Sequence, residues 1–495
     1  MPVRSFRRLR VLGKYSFFGV LVPYTGYALY ISLNSNKEIT KRQKLYDRNG
    51  QDVADPKHSL FEKYTPLKIL GRYENPFEEY RIQTLYEFFF NRVVELFETN
   101  RGGIPKTSAR MEELMPVHKP SWVTQGQIQE DKILHTEVLD QKAVLSEKSG
   151  NDDRGGKKNS KETVVRPSKV MDVTWLGQSC TYIIYENRFK VLLDPLFSDF
   201  LINEKFGPRR ITRLPCPIED VPVPDMILVS HNHPDHLDEK SLRHFNRKTS
   251  RVTSETVTPA TPKKPFSAKS SNDITNIHTN DHNLPLWVVP YGMGKYMDSY
   301  QISNYQELSW WQSLKLTTEL GHSYFVHCTP TMHWSGRNLI DTNESLWCSY
   351  LVSTQGSPEL ALSSSNTNLF FHAGDTGYVH DLFRIIKEKY GRTQLGILPC
   401  GQYCPQWHQR PRHISPEEVL KIMKDMECTQ VLGVHWGTFL LSGEYFREPK
   451  EKLETLAQWE GIDSQNCYCP ELGKTTRFEI KEQGETVAEA SSEDA

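Results

Sequence analysis

The chain has 495 residues, with 60 Lys and Arg against 61 Asp and Glu, a formal net charge of −1 and nine cysteines. That length exceeds a typical single domain, although one large α/β domain with insertions can absorb most of it. The near-neutral balance gives no electrostatic case for nucleic acid, and an odd cysteine count without regular spacing argues against a disulfide framework. Cys400 with Cys404, and Cys467 with Cys469, stand close enough in sequence to pair or to hold a metal, but ordinary thiols are expected.

Residues 1–37 read as a targeting segment and membrane anchor. No acidic residue precedes Glu38, while Arg4, Arg7, Arg8, Arg10 and Lys14 crowd the start as in a mitochondrial presequence. From Tyr15 to Asn36 the chain is uncharged and mostly apolar or aromatic, long enough for one span. Gly19, Pro23, Thr25 and Gly26 weaken that helix, so an interfacial anchor or a cleaved secretory signal stays open, and Lys37, Lys41, Arg42 and Lys44 beyond it leave the orientation open. A single-pass or tightly anchored protein of the mitochondrial inner membrane is the expectation.

Residues 38–124 read as a helical, membrane-proximal region. Leu85, Phe88, Phe89, Val93 and Leu96 recur at near-helical spacing between Pro76 and Gly102, giving an amphipathic helix whose aromatic face serves either the core or a membrane. Residues 125–169 turn polar and read as a linker. The catalytic domain is expected over 170–480, interrupted at 246–284 by a disordered insertion rich in Ser, Thr, Asn and Lys, where His278 and His282 are decoys. The acidic tail 481–495 is expected to be disordered.

Within the domain, His231, His233, Asp235 and His236 stand together in Ser-His-Asn-His-Pro-Asp-His-Leu-Asp, residues 230–238. Such closely spaced ligands converge only if the backbone turns, and the preceding apolar run 225–229 reads as a short buried strand ending there. Neutral imidazoles suit zinc, iron or manganese, and the interleaved carboxylate helps to hold a second ion, so the spacing fits a two-metal hydrolytic centre.

This motif resembles the metallo-β-lactamase superfamily, which implies an α/β fold, an αββα sandwich with metals at one edge of its two sheets, here carrying an N-terminal membrane anchor. The remaining ligands then fall on three later loops: His333 after the apolar run 324–326, Asp375 in His-Ala-Gly-Asp-Thr-Gly (372–377), and His435 after Val-Leu-Gly-Val (431–434). The resemblance implies one zinc on His231, His233 and His333, a second on Asp235, His236 and His435, and Asp375 bridging. Asp235 and Asp375 also count as catalytic. Asp194, after Val191-Leu192-Leu193, is a candidate acceptor behind a ligating histidine.

Further blocks narrow the likeness. Trp-Leu-Gly-Gln-Ser (175–179), Leu-Asp-Pro-Leu-Phe-Ser (193–198), Gly-Pro-Arg-Arg (207–210), Trp310-Trp311 and His-Trp-Gly-Thr-Phe (435–439) resemble the N-acylphosphatidylethanolamine-hydrolysing phospholipase D family, and the basic start resembles its fungal mitochondrial members. The resemblance implies cleavage of N-acylphosphatidylethanolamine to phosphatidic acid and an N-acylethanolamine, and attack by a metal-bound hydroxide is expected because the motifs supply metal ligands and no paired Ser or Cys nucleophile with a base. It also puts His413 at the lipid head, with Gln402 and Tyr403 as weaker candidates and Met293 and Tyr296 along an acyl channel. Ser415 is read as capping a helix that starts at Pro416. Where the family has an amide and an aromatic ahead of Gly207, this chain has Glu204-Lys205, which puts head-group contacts there in doubt. The expected partners are a phospholipid and a membrane, with a homodimer left open. Alternative readings are a hydrolase of the same fold acting on a soluble phosphodiester or lactone, and a membrane scaffold with a structural metal site.

Overall fold

A computed structural model of the chain describes residues 17–49, 60–84, 86–87, 90, 101–122, 130–139, 169–205, 207–246, 284–338, 340–354 and 367–480. Two sheets lie face to face. The eight-stranded sheet runs from edge to edge through Cys467–Tyr468, Gln430–Val434, Arg392–Pro399, Thr367–His372, Ser349–Ser353, Ser323–Thr329, Ser313–Thr318 and Ile133–Leu139. The seven-stranded sheet runs through Thr475–Ile480, Lys169–Gly177, Cys180–Tyr185, Phe189–Leu193, Met226–Leu228, Leu286–Pro290 and Tyr305–Leu308.

Each sheet has an antiparallel and a parallel half, and parallel neighbours need crossovers. Helices supply them: Glu239–Phe245 and Gly294–Ser299 on the smaller sheet, and Leu382–Tyr390, Pro416–Asp425 and Glu448–Trp459 on the larger. Strands covered on both faces read as continuous apolar runs, and the side chains divide by the strand period of two. Met226 and Leu228 face the core between the sheets, whereas Ile227 faces the helices; Leu286 and Val288 against Trp287 and Val289 repeat the division. The αββα sandwich is therefore present as expected.

The amino-terminal regions depart from expectation. Val22–Asn49 is one helix laid along the body, burying Ile31 and Ile39, with Tyr24 Oη donating to Gln83 O at 3.1 Å and Arg42 Nη1 to Thr65 O at 2.7 Å. Among the described residues no helix is long and apolar enough to cross a membrane, so the single-pass anchor is not supported. The physical reason is the helix's second half, which carries Lys37, Glu38, Lys41, Arg42 and Lys44.

Residues 64–84 are not a free helical region. They form a hairpin, Leu67–Ile69 with Arg72–Glu74, and then an extended strap on the catalytic body, held by Tyr73 N to Asn343 O (2.8 Å), Trp311 Nε1 to Tyr64 O (3.1 Å) and Gln83 Nε2 to His408 O (2.7 Å). The proposed helix residues Leu85, Phe88, Phe89, Val93 and Leu96 lie outside the described residues. Ile133–Leu139, read as linker, is the edge strand beside Ser313–Thr318. Only one of its faces is covered, with Ile133 and Thr136 buried and Leu134 half exposed, so its apolar signal is weak. The core of the insertion, with His278 and His282, and the tail 481–495 lie outside the described residues.

Candidate metal centre

Four strand ends meet at one edge of the sandwich. Met226–Leu228 runs into the turn carrying His231, His233, Asp235 and His236, closed by His236 N and Leu237 N donating to His233 O at 3.0 and 2.9 Å. Asp238 then caps the next helix, accepting from Ser241 N, so the loop is fixed at both ends. His333 follows Ser323–Thr329, Asp375 follows Thr367–His372, and His435 follows Gln430–Val434. Gly374 has φ +59°, and a Cβ there would stand 2.5 Å from the Ser230 Cβ, so only glycine lets these two loops touch. Residues other than glycine at positive φ also gather here: Asp194 at +38°, Gln178 at +53°, Gln402 and His435 both at +64°.

The side chains form two donor groups with one shared member. The ligand atoms of His231, His233, His333 and Asp375 all lie within 4.8 Å of one another, as do those of Asp235, His236, Asp375 and His435. Asp375 Oδ2 lies 3.2 Å from His236 Nε2 and 3.6 Å from His333 Nε2, while its Oδ1 lies 3.1 Å from His435 Nε2. His233 Nδ1 faces His231 Nε2 at 2.7 Å and His333 Nε2 at 3.3 Å.

Three converging imidazole nitrogens of this kind cannot satisfy one another without a proton or a cation. Burial, with the neighbouring imidazoles, pushes His231 and His233 well below the usual histidine range, which leaves lone pairs for a cation. Burial alone would raise Asp235 and Asp375, but the adjacent histidines outweigh it and keep both carboxylates ionised. In the second group burial lowers His236 and His435, yet Asp375 and Asp235 outweigh it and raise both, so a bound proton there stands where a cation would compete. Neutral imidazoles with ionised carboxylates are the donor set of zinc, iron or manganese, and the residues fit such a pair.

The Beta-lactamase superfamily domain matches residues 190–436. The mitochondrial N-acyl-phosphatidylethanolamine-hydrolyzing phospholipase D of Saccharomyces cerevisiae is 50% identical over 485 residues, covering 96% of this chain and 89% of that relative. The chain belongs to the N-acylphosphatidylethanolamine-hydrolysing phospholipase D family. N-acyl-phosphatidylethanolamine-hydrolyzing phospholipase D 1 of Caenorhabditis elegans is 29% identical over 290 residues, 57% of this chain and 68% of that relative. The chain is thus a metal-dependent hydrolase of the metallo-β-lactamase superfamily.

In this family member the groups behind the ligands fix which nitrogen faces inward. His236 Nδ1 donates to Asp194 Oδ2 at 2.8 Å and His333 Nδ1 donates to Arg412 O at 2.9 Å, so each turns Nε2 to the centre. Ser230 Oγ donates to Asp194 Oδ2 at 2.8 Å and accepts from His231 Nδ1 at 2.9 Å, with the same result. Burial would raise the Asp194 carboxyl, but His372 and His236 hold it well below the usual carboxylate range. Asp194 is therefore the acceptor that its position suggested. His372, 2.8 Å from it through Nε2, was missed, as were Asn75, whose Nδ2 donates to His333 O at 2.7 Å, and Gln178. A strand histidine three residues before Asp375 was the one available signal.

Of the expected lipid contacts, His413 and Gln402 are brought to the centre. His413 is buried with Nδ1 unpartnered, 3.7 Å from Asp375 Oδ2. Gln402 has a buried, unpartnered Oε1 and borders a small cavity with Gln178 and His435. The other three are not brought there. Tyr403 is buried and its hydroxyl donates to Glu448 Oε1, while Met293 is wholly buried between the smaller sheet and its helices. Tyr296 donates to Asp341 Oδ2 at 2.5 Å and accepts from Asn232 Nδ2 at 3.0 Å, which braces the metal loop. Glu204 and Lys205 are exposed. The nine cysteines are free thiols, and Cys400 lies near Cys469, Sγ to Sγ 3.6 Å, rather than in either pair close in sequence.

Proposed function

We propose that the chain hydrolyses N-acylphosphatidylethanolamine to phosphatidic acid and an N-acylethanolamine, using a pair of zinc ions. His231, His233 and His333 would hold one, Asp235, His236 and His435 the other, and Asp375 would serve both. The observation that carries this reading is the pair of donor groups joined through Asp375, in a chain half identical to a relative of that designation over nearly its whole length. When bound, such cations would activate water and take up charge on phosphoryl oxygens.

The chain's own residues supply the rest. The ligands are buried, which excludes bulk water and strengthens every charge interaction at the diester. His413 presents Nδ1 beside Asp375 and holds the lipid head. Ser230, the hydroxyl within reach of His231 and His236, is wholly buried and donates to Asp194, so it is unavailable as a nucleophile and water attacks phosphorus.

Access from a bilayer is supported by the amino-terminal helix. Phe18 just ahead of it and Val22, Tyr27, Leu29, Tyr30 and Leu33 along it are exposed, followed by Lys37, Lys41 and Lys44, an apolar surface with a basic end suited to anionic lipid. Exposed Phe90 and Trp407, ring centroids 6.5 Å apart, add aromatic surface. The acid-free basic start and the mitochondrial relative favour a mitochondrial membrane.

The test offers the purified chain N-acylated phosphatidylethanolamine, phosphatidylcholine and a soluble phosphodiester in heavy-oxygen water. Cleavage of the first alone, with label in phosphatidic acid, is expected. Preference for the soluble diester, or label in the N-acylethanolamine, overturns the reading, and a chain inactive on all three favours the scaffold alternative.

A further inference from the structure

Gln178 sits in the tight turn between Lys169–Gly177 and Cys180–Tyr185 and is 1% exposed. Its backbone is clamped from both sides: the amide N–H donates to Thr438 Oγ1 at 2.7 Å, and the carbonyl accepts from Trp175 Nε1 at 2.7 Å and from the His435 N–H at 2.9 Å. At φ +53° this backbone occupies the left-handed region, which most side chains avoid. The consequence is a side chain aimed into the second donor group. Its Nε2 lies 2.9 Å from Asp235 Oδ2 and 2.8 Å from His435 Nε2.

We propose that Gln178 is a positioning residue for the second cation, its side-chain amide holding Asp235 and its backbone carbonyl holding His435. This rests on the dinuclear reading above. An ionised carboxylate only accepts hydrogen bonds, so Asp235 Oδ2 needs a donor to stay oriented. When a cation takes the His435 Nε2 lone pair, the amide N–H keeps its bond to Asp235. A neutral amide does this without adding charge, whereas a carboxylate at this position would repel Asp235 and a lysine would repel the cation.

The cavity that Gln178 borders with Gln402, His435 and Glu444 measures about 20 Å³. That is room for about one water and far too little for a lipid, so Gln178 acts on the ligands and not on the substrate's tails. Shortening the side chain would let water reach Asp235 from this side. Nothing comparable touches His231, His233 or His333 through Gln178, so the effect should be confined to one half of the centre.

The experiment is a cobalt(II) titration of metal-stripped protein, followed by visible absorption and metal analysis, on the natural chain, Gln178→Ala and Gln178→Asn. Asn is the residue, after Gly, best suited to positive φ; it keeps an amide but is one methylene too short for the bond to Asp235, so it separates loss of that bond from loss of the turn. Both variants should bind the first equivalent as the natural chain does and the second about 10-fold or more weakly, the size usual for a lost support behind a ligand. Two equivalents bound with unchanged affinity in both variants overturns the role of Gln178 alone. Failure of the natural chain to bind two equivalents overturns the dinuclear reading beneath it.

Discussion

The all-imidazole half of the centre, His231, His233 and His333, and the mixed half, Asp235, His236 and His435, share Asp375 but lean on different parts of the molecule. His333 is held by Arg412 O and by Asn75, which belongs to the strap that lies over the body. His236 and His435 are held by Asp194 and Gln178, which sit at strand ends of the smaller sheet. The difference teaches that distant surface segments and the sheet interior can be damaged separately, with separable consequences for the two donor groups.

Asp375→Asn should break both halves at once. Because its carboxylate belongs to each group, metal content should fall at both sites and turnover by about 10³-fold or more, several kcal/mol of transition-state stabilisation; elemental analysis beside the lipid assay checks it. Asp194→Ala should fall mainly on the mixed half, weakening its metal affinity by about 10- to 100-fold as His236 loses its acceptor. A smaller loss is expected on the imidazole half, which Asp194 reaches only through Ser230, and cobalt spectra resolve the two.

Asn75→Ala should do the reverse. It removes one hydrogen bond to the His333 carbonyl, worth about 1 kcal/mol or roughly fivefold, and only the imidazole half should respond. Equal weakening of both halves would erase the comparison. Glu74→Gln, one residue away, should leave metal binding at both donor groups unchanged and change stability instead. Burial pushes the Glu74 carboxyl up to about 7, well above its value in an unfolded chain. The natural chain is then most stable below the unfolded pKa and loses stability as pH rises through about 7, by at most about 1.4 kcal/mol per pH unit. The glutamine variant should lack that slope, so melting curves at pH 5 and pH 8 should diverge only at the higher pH.

The ligands are legible because each carries a local signature, a histidine or aspartate within a few residues of the end of an apolar run. Four such run ends can meet only if the strands align, and the αββα order supplies that alignment. Gln178, although it lies in the block 175–179, and His372, although it stands three residues before Asp375, give no sign in the sequence of the partners they hold. A lone amide in a turn and a lone histidine on a strand acquire their roles only from partners far along the chain, Asp235 for one and Asp194, 178 residues away, for the other. The edge strand and the strap escape the sequence for a related reason. Ile133–Leu139 and the strap are stabilised by edge pairing and backbone bonds, which leave little trace in hydrophobic periodicity.

The bond from Asn75 to the His333 carbonyl joins residues 258 positions apart, and the strand Lys169–Gly177 is completed by Thr475–Ile480. A chain leaving the ribosome, or threading into an organelle, amino end first exposes the strap long before the residues it steadies. His435 arrives later still. Contacts so far apart form late and together, so a partly emerged chain carries neither a closed sandwich nor a complete set of donor groups. Hydrolytic activity is thereby withheld from the chain until its last donor residue has joined the rest.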